Sequence, residues 1–138
     1  MKNEEKAQEK YIEMKVLEEQ LEEMQKKSQM VEKQLMELMS TVQSLDDFKK
    51  TNNGDEILVP ISSGIFIKAN IKENNEFLVN VGAETVVTKD IESTKKLMSK
   101  QVEEMTEFNT RINMQMQKMA MKASVLQNEL KELIKESE

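Results

Sequence analysis

The sequence predicts a mainly α-helical chain with a small β region: two long helices in an antiparallel coiled-coil hairpin, joined by two β-hairpins. Three observations predict it. Residues 14–45 and 102–133 carry seams of equal length in which spacings of three and four alternate, so the side chains share one narrow helical stripe. The segment between the seams switches to an apolar period of two, which is strand behaviour. The three Gly and the single Pro all fall in that middle segment, so no breaker interrupts either helix.

The first seam runs Met14, Leu17, Leu21, Met24, Ser28, Val31, Leu35, Leu38, Val42 and Leu45. A helix over residues 1–50 is expected, its seam spanning roughly 48 Å at about 1.5 Å per residue. Glu22 with Lys26 and Glu23 with Lys27 are spaced as outward ion pairs. The helix should stop in Lys49-Lys50-Thr51-Asn52-Asn53-Gly54, with Asn-Gly taking the left-handed termination.

Strands are expected near 56–60, 65–72, 76–81 and 84–89, divided by Ser62-Ser63-Gly64, Asn74-Asn75 and Gly82-Ala83. Ile65, Ile67, Ala69 and Ile71 share one face, as do Phe77, Val79 and Val81. Pro60 cannot donate to a ladder, so its strand is an edge or ends there. Asp90 reads as the N-cap of a second helix over 91–135. Its seam runs Val102, Met105, Asn109, Ile112, Met116, Met119, Ala123, Leu126, Leu130 and Leu133. Aligning the two seams end to end sets Leu45 beside Val102 and Met14 beside Leu133. The whole chain, 1–138, then reads as one domain: helix 1–50, hairpins 55–90, helix 91–138.

Composition removes several functions. The chain has no His and no Cys, so Ser-His and Cys-His nucleophilic pairs, thiolate sites and disulfides are impossible. Its Glu residues sit on solvated helix faces, Asp55-Glu56 reads as a solvated loop, and no glycine-rich phosphate loop is present. We expect no enzyme, no metal and no cofactor. A net charge of -6 with one Arg, Arg111, makes nucleic acid a poor partner. No run of about 18 apolar residues exists to span a membrane, and the charged N-terminus lacks the apolar core of a signal peptide. A cytoplasmic protein is the expectation.

Two polar residues interrupt the seams, Ser28 and Asn109. A lone Asn at such a position can fix register, although a wet seam that tolerates one amide is the simpler reading. The flanking positions hold Tyr11, Met39, Phe108, Ala120 and Ile134 rather than a Glu/Lys code, which favours pairing within the chain over an open zipper. Apolar residues also lie off the seam. Tyr11, Ile12 and Val16 near one terminus, and Val125 and Ile134 near the other, should meet at one end of an antiparallel hairpin. Exposed apolar clusters often mark binding surfaces. With the last seam residue, Leu133, they are the candidate binding set: Tyr11, Ile12, Val16, Val125, Leu133 and Ile134. Met30, Met36, Met114 and Met121 also lie off the seam, where flexible thioethers suit adaptable surfaces. Two isolated hairpins are marginal in water, so the strands should assemble with other chains. The candidate assembly residues are Ile57, Val59, Ile65, Ile67, Ile71, Val79, Val81 and Val87.

Between two such helices, Ile57-Leu58-Val59-Pro60-Ile61-Ser62-Ser63-Gly64, Ile65-Phe66-Ile67-Lys68-Ala69 and Val79-Asn80-Val81-Gly82 resemble the archaeal prefoldins. The resemblance covers essentially the whole chain. Room for four strands points to the alpha type, since beta-type subunits have a single hairpin. The family often has a second glycine two residues after the position of Gly82. Here that position is Glu84, and the second hairpin is expected to turn differently. The resemblance implies a chaperone that works without ATP, whose hairpins assemble into an oligomeric β-barrel platform. It implies partnership with beta-type subunits, two alpha with four beta. Coiled-coil tips would hold unfolded polypeptides and deliver them to a group II chaperonin. The alternative is an alpha-like, gamma-type variant that builds a homotypic filament or scaffold.

Overall fold

A computed structural model describes residues 2–136. Its elements in order are α1 (Lys2–Lys49), β1 (Glu56–Ser62), β2 (Ile65–Asn70), β3 (Phe77–Asn80), β4 (Val86–Lys89) and α2 (Ile91–Glu136). Two long helices thus flank two antiparallel hairpins, β1–β2 and β3–β4. The chain divides into a helical unit, Met1–Leu35 with Met105–Glu138, and a mixed unit, Met36–Glu104.

In the helical unit every seam residue is buried or half-buried. Leu17, Val31, Ile112 and Leu126 are the most enclosed of its apolar residues, as an a/d stripe against a partner helix requires. The helices run antiparallel: Lys10 is bonded to Glu129, Glu13 lies 4.0 Å from Lys122, and Ser28 faces Asn109 and Asn113. The two polar interruptions therefore fall in one layer. The Ser28 hydroxyl, in a residue only 5% exposed, lies 3.3 Å from Asn109 Oδ1 and 3.4 Å from Asn113 Oδ1. A buried hydroxyl without such a partner would cost about 1–3 kcal/mol.

The helix register differs from end-to-end alignment of the seams by roughly one heptad. Asp46 meets Lys95 at 2.5 Å, where the aligned seams would have set it beside Gln101. Leu45 is therefore not beside Val102, nor Met14 beside Leu133. The seam of α2 is longer than its apolar run suggests, because Ile91 and Thr94, 4% and 5% exposed, extend it backward. On α1, half-buried Ala7 and Lys10 extend the other seam. Of the two outward ion pairs expected on α1, Glu22–Lys26 forms at 3.9 Å. Lys27 instead stands over the Phe108 ring, 5.4 Å from its centroid.

In the mixed unit, Asp46–Lys95 and a 3.0 Å Lys49–Glu92 pair hold the end of α1 against the start of α2. Hydrogen bonding to Asp46 raises the Lys95 pKa above its ordinary value. Asp90 caps α2 by accepting from the Ser93 N–H at 2.7 Å, and this bond holds its carboxyl below the ordinary range. The end of α1 is closed differently from expectation. The Thr51 hydroxyl donates to the Phe48 carbonyl at 2.6 Å, and Gly54, φ +91°, serves the following turn instead. In that turn the Asp55 N–H donates to the Asn52 carbonyl, and the Asp55 carboxylate accepts from the Asn52 N–H.

β1 runs past Pro60, which sits opposite Phe66, and the register shifts between Pro60 and Ser62. A free edge is where Pro is tolerated. β2 ends at Asn70, not 72: the Ile71 N–H still donates to the Asp55 carbonyl, but the Asp55 N–H is bonded to Asn52, so the Ile71 carbonyl accepts from Gly54 and the register breaks. Ile71 then packs inward at 6% exposure, with Leu45, Val79 and Ile91 also buried and Phe48 edge-on to Phe77 at 5.7 Å.

The β3–β4 turn takes residues 81–85, shortening both strands relative to expectation, and is closed by Val81 N–H to Thr85 O at 3.0 Å. Gly82, Ala83 and Glu84 all have positive φ, +107°, +50° and +57°. Glu84 is thus left-handed, with a Cβ that this conformation disfavours by about 1–2 kcal/mol. Glu84→Gly should stabilise the chain by about 0.5–1 kcal/mol, after the extra freedom of glycine in the unfolded chain is subtracted. Denaturant titration checks this, and a destabilised variant would show that Glu84 makes a compensating contact.

Candidate functional site

The helical unit gathers exposed apolar side chains near its terminal end. Tyr11, Ile12 and Val16 are 48%, 57% and 46% exposed on α1, and Val125 is 55% exposed on α2. All four occupy the stretch bounded by the Lys10–Glu129 and Glu13–Lys122 contacts or within one turn of it. Lys15 lies 5.6 Å from the Tyr11 ring centroid, a cation over an aromatic face that is still open to water. Leu133 and Ile134 follow one turn beyond Glu129. Leu133 is a half-buried seam residue, and Ile134 is half exposed. A two-helix seam covers one stripe per helix, which is why these off-seam residues stay in contact with water.

The mixed unit carries the second candidate surface. In β1–β2, Val59 pairs with Ile67 and Ser62 with Ile65, and Ile65 and Ile67 are 57% and 48% exposed. Ile57 is half-buried. In β3–β4, Val79 pairs with Val87; Val79 is buried, Val87 half-buried and Val81 exposed. Six of the eight predicted assembly residues thus keep surface open, whereas Ile71 and Val79 serve the unit's own core. Beside Ile71 an open apolar groove is lined by Phe48, Ile57, Phe77 and Leu78, with Glu73 and Glu76 on its rim. A hydrogen bond to Glu73 raises the Glu76 pKa above its ordinary value, as two neighbouring carboxyls resist sharing two charges. Among the described residues no group of three acidic side chains is placed to hold a metal ion, and no helix is long and apolar enough to cross a membrane.

A model of the family described as "Prefoldin subunit" matches residues 17–136, which take in α1 from Leu17 onward, both hairpins and α2. The chain belongs to the prefoldin family. It is 31% identical over 87 residues to a prefoldin subunit alpha of Thermofilum pendens, covering 63% of this chain and 67% of that one. It is 25% identical over 134 residues to a prefoldin subunit alpha of Methanococcus aeolicus, covering 97% and 91%. A filamentous PFD from Methanocaldococcus jannaschii, solved by cryo-EM, shares the fold with a TM-score of 0.75 at 16% identity, covering 84% of this chain and 96% of that one. This prefoldin is a chaperone subunit of archaeal type, and its family is not one of enzymes.

The strand surface of this prefoldin is wider than the period-two reading suggested. Leu58, Ile61, Phe66, Leu78 and Val86, none of them among the expected assembly residues, are 57–77% exposed. The signal for them was present. The runs Ile57-Leu58-Val59-Pro60-Ile61 and Ile65-Phe66-Ile67 have no polar face, and near-continuous apolar runs mark strands covered on both sides.

Proposed function

We propose that this prefoldin is an ATP-independent holdase subunit. Tyr11, Ile12, Val16, Val125, Leu133 and Ile134 hold unfolded polypeptide, which then passes to a group II chaperonin. The observation that carries the reading is the cluster of large apolar side chains left half exposed at the terminal end of the helical unit, next to a fully occupied seam. Each contact contributes at most about 1.5–3 kcal/mol at full burial. Several weak contacts retain a client together and release it one by one, with no energy source.

The subunit uses Ile57, Val59, Ile65, Ile67, Val81 and Val87 to enter a β-barrel platform with beta-type subunits, two alpha with four beta. Ile71 and Val79 support that surface from beneath. The combined variant Ile12→Ser, Val16→Ser and Ile134→Ser tests the holdase assignment. Suppression of aggregation of an unfolded client should fall by at least about tenfold in effective affinity, with oligomer mass unchanged. Unaltered capture by an intact assembly would rule these residues out as the site.

A further inference from the structure

A second, outward stripe runs along α2. Arg111, Met114, Lys118, Met121 and Val125 alternate spacings of three and four, the pattern of a coiled-coil seam. They lie on the face away from the buried seam, with Met114, Met121 and Val125 54%, 71% and 55% exposed. Arg111 and Lys118 are exposed and make no ion pair among the described residues. No Asp or Glu occurs between Asn109 and Asn128, so the stripe is apolar and purely cationic.

The outer face of α1 is its complement. Ile12, Val16, Glu19 and Glu23 are spaced by four, three and four. Both carboxylates are exposed without an ion pair among the described residues. Lys27, the expected partner of Glu23, is committed to the Phe108 ring.

We infer that the helical units of two copies of this chain dock side by side and in the same direction, the outer face of α1 in one against the outer face of α2 in the other. The register within one hairpin sets Glu13 level with Lys122 and Ser28 level with Asn109 and Asn113. Two copies at equal height therefore bring Ile12 to Val125, Val16 to Met121 and Glu19 to Lys118, with Glu23 in reach of the long Arg111 side chain. Apolar meets apolar and acid meets base at each step. The contact is heterologous, leaving a free face on each outer copy. Three turns of helix bury far less than the ~1,200 Å² of a stable interface. It therefore operates between copies already held at high local concentration.

The consequence, which rests on the proposed client contacts, is that between two idle copies Ile12 and Val16 of one and Val125 of the other are covered. The contact itself does not depend on that reading. The test mixes two full-length variants, Val16→Cys and Met121→Cys, under mild oxidation; the chain has no other cysteine. A mixed disulfide in excess of both symmetric ones is expected with no client present. Lys118→Glu in the Met121→Cys chain should lower its yield roughly fivefold, and Glu19→Lys in the other chain should restore it. Symmetric and mixed disulfides in random proportion, or a yield indifferent to the charge exchange, overturn the proposal. So does a stripe that stays uncross-linked. None of these outcomes reads client capture, so failure of the holdase assignment leaves the test intact.

Discussion

Replacing Ile67 by glutamate will leave a helical chain that no longer oligomerises. Ile67 is 48% exposed in the isolated chain and sits opposite Val59 in a two-stranded sheet. Apolar side chains are exposed on both faces of that sheet, a state that is marginal in water unless another chain covers it. A carboxylate there costs little in the single chain, where water still reaches it. Covered by a partner strand it would lose its hydration with no cation to offset the loss, and such burial costs several kcal/mol. The association constant should therefore fall by at least about a thousandfold. Native mass spectrometry, alone and with a beta-type prefoldin subunit, should show the variant as a single chain with its helical circular dichroism retained. Persistence of the parental mass would show that this face is not the interface.

Ile71→Ala should behave in the opposite way. Ile71 is 6% exposed, and its backbone is bonded to both Gly54 and Asp55. Truncation removes apolar burial and leaves a cavity beneath the hairpins, for which about 2–5 kcal/mol is the usual cost. The loss should appear as a lower unfolding midpoint that is independent of protein concentration. The effect of Ile67→Glu, by contrast, belongs to association. If Ile71→Ala instead weakens assembly at unchanged chain stability, Ile71 contacts a partner rather than the core.

What the sequence disclosed was whatever is written locally. A heptad seam is a property of one helix, and each of its residues from Met14 to Leu45 and from Val102 to Leu133 is buried or half-buried. Period two and turn residues likewise located the strands. Register was not legible, because a heptad pattern matches itself after a shift of seven. The true alignment is set by Asp46–Lys95 and Lys49–Glu92, where the β segment returns the chain, and by the meeting of Ser28 with Asn109. Ile71 was misplaced in β2 because alternation continues through it in sequence. The ladder breaks there because the Asp55 N–H turns to the Asn52 carbonyl and the Gly54 N–H takes its place on the Ile71 carbonyl. The exposure of Tyr11, Ile12, Val16, Val125 and Ile134 could be anticipated because they lie off the seam. The full strand surface could not, since period two assigns a strand one apolar face by construction.

The layer formed by Ser28, Asn109 and Asn113 acts on a repetitive structure as an index mark acts on a ruler. Sliding the helices by one heptad would carry Ser28 to Met119 and Asn109 to Leu38, stranding polar groups among apolar ones. Every other seam position would find an acceptable neighbour. One polar rung therefore separates two decisions that a uniform seam would tie together: where the helices align, and how long they are. Matching heptads can be gained or lost on the terminal side of the rung while the alignment on its other side stays fixed. A chaperone arm built this way can change reach in steps of about 10 Å, the rise of seven helical residues, without renegotiating the contacts that fold it.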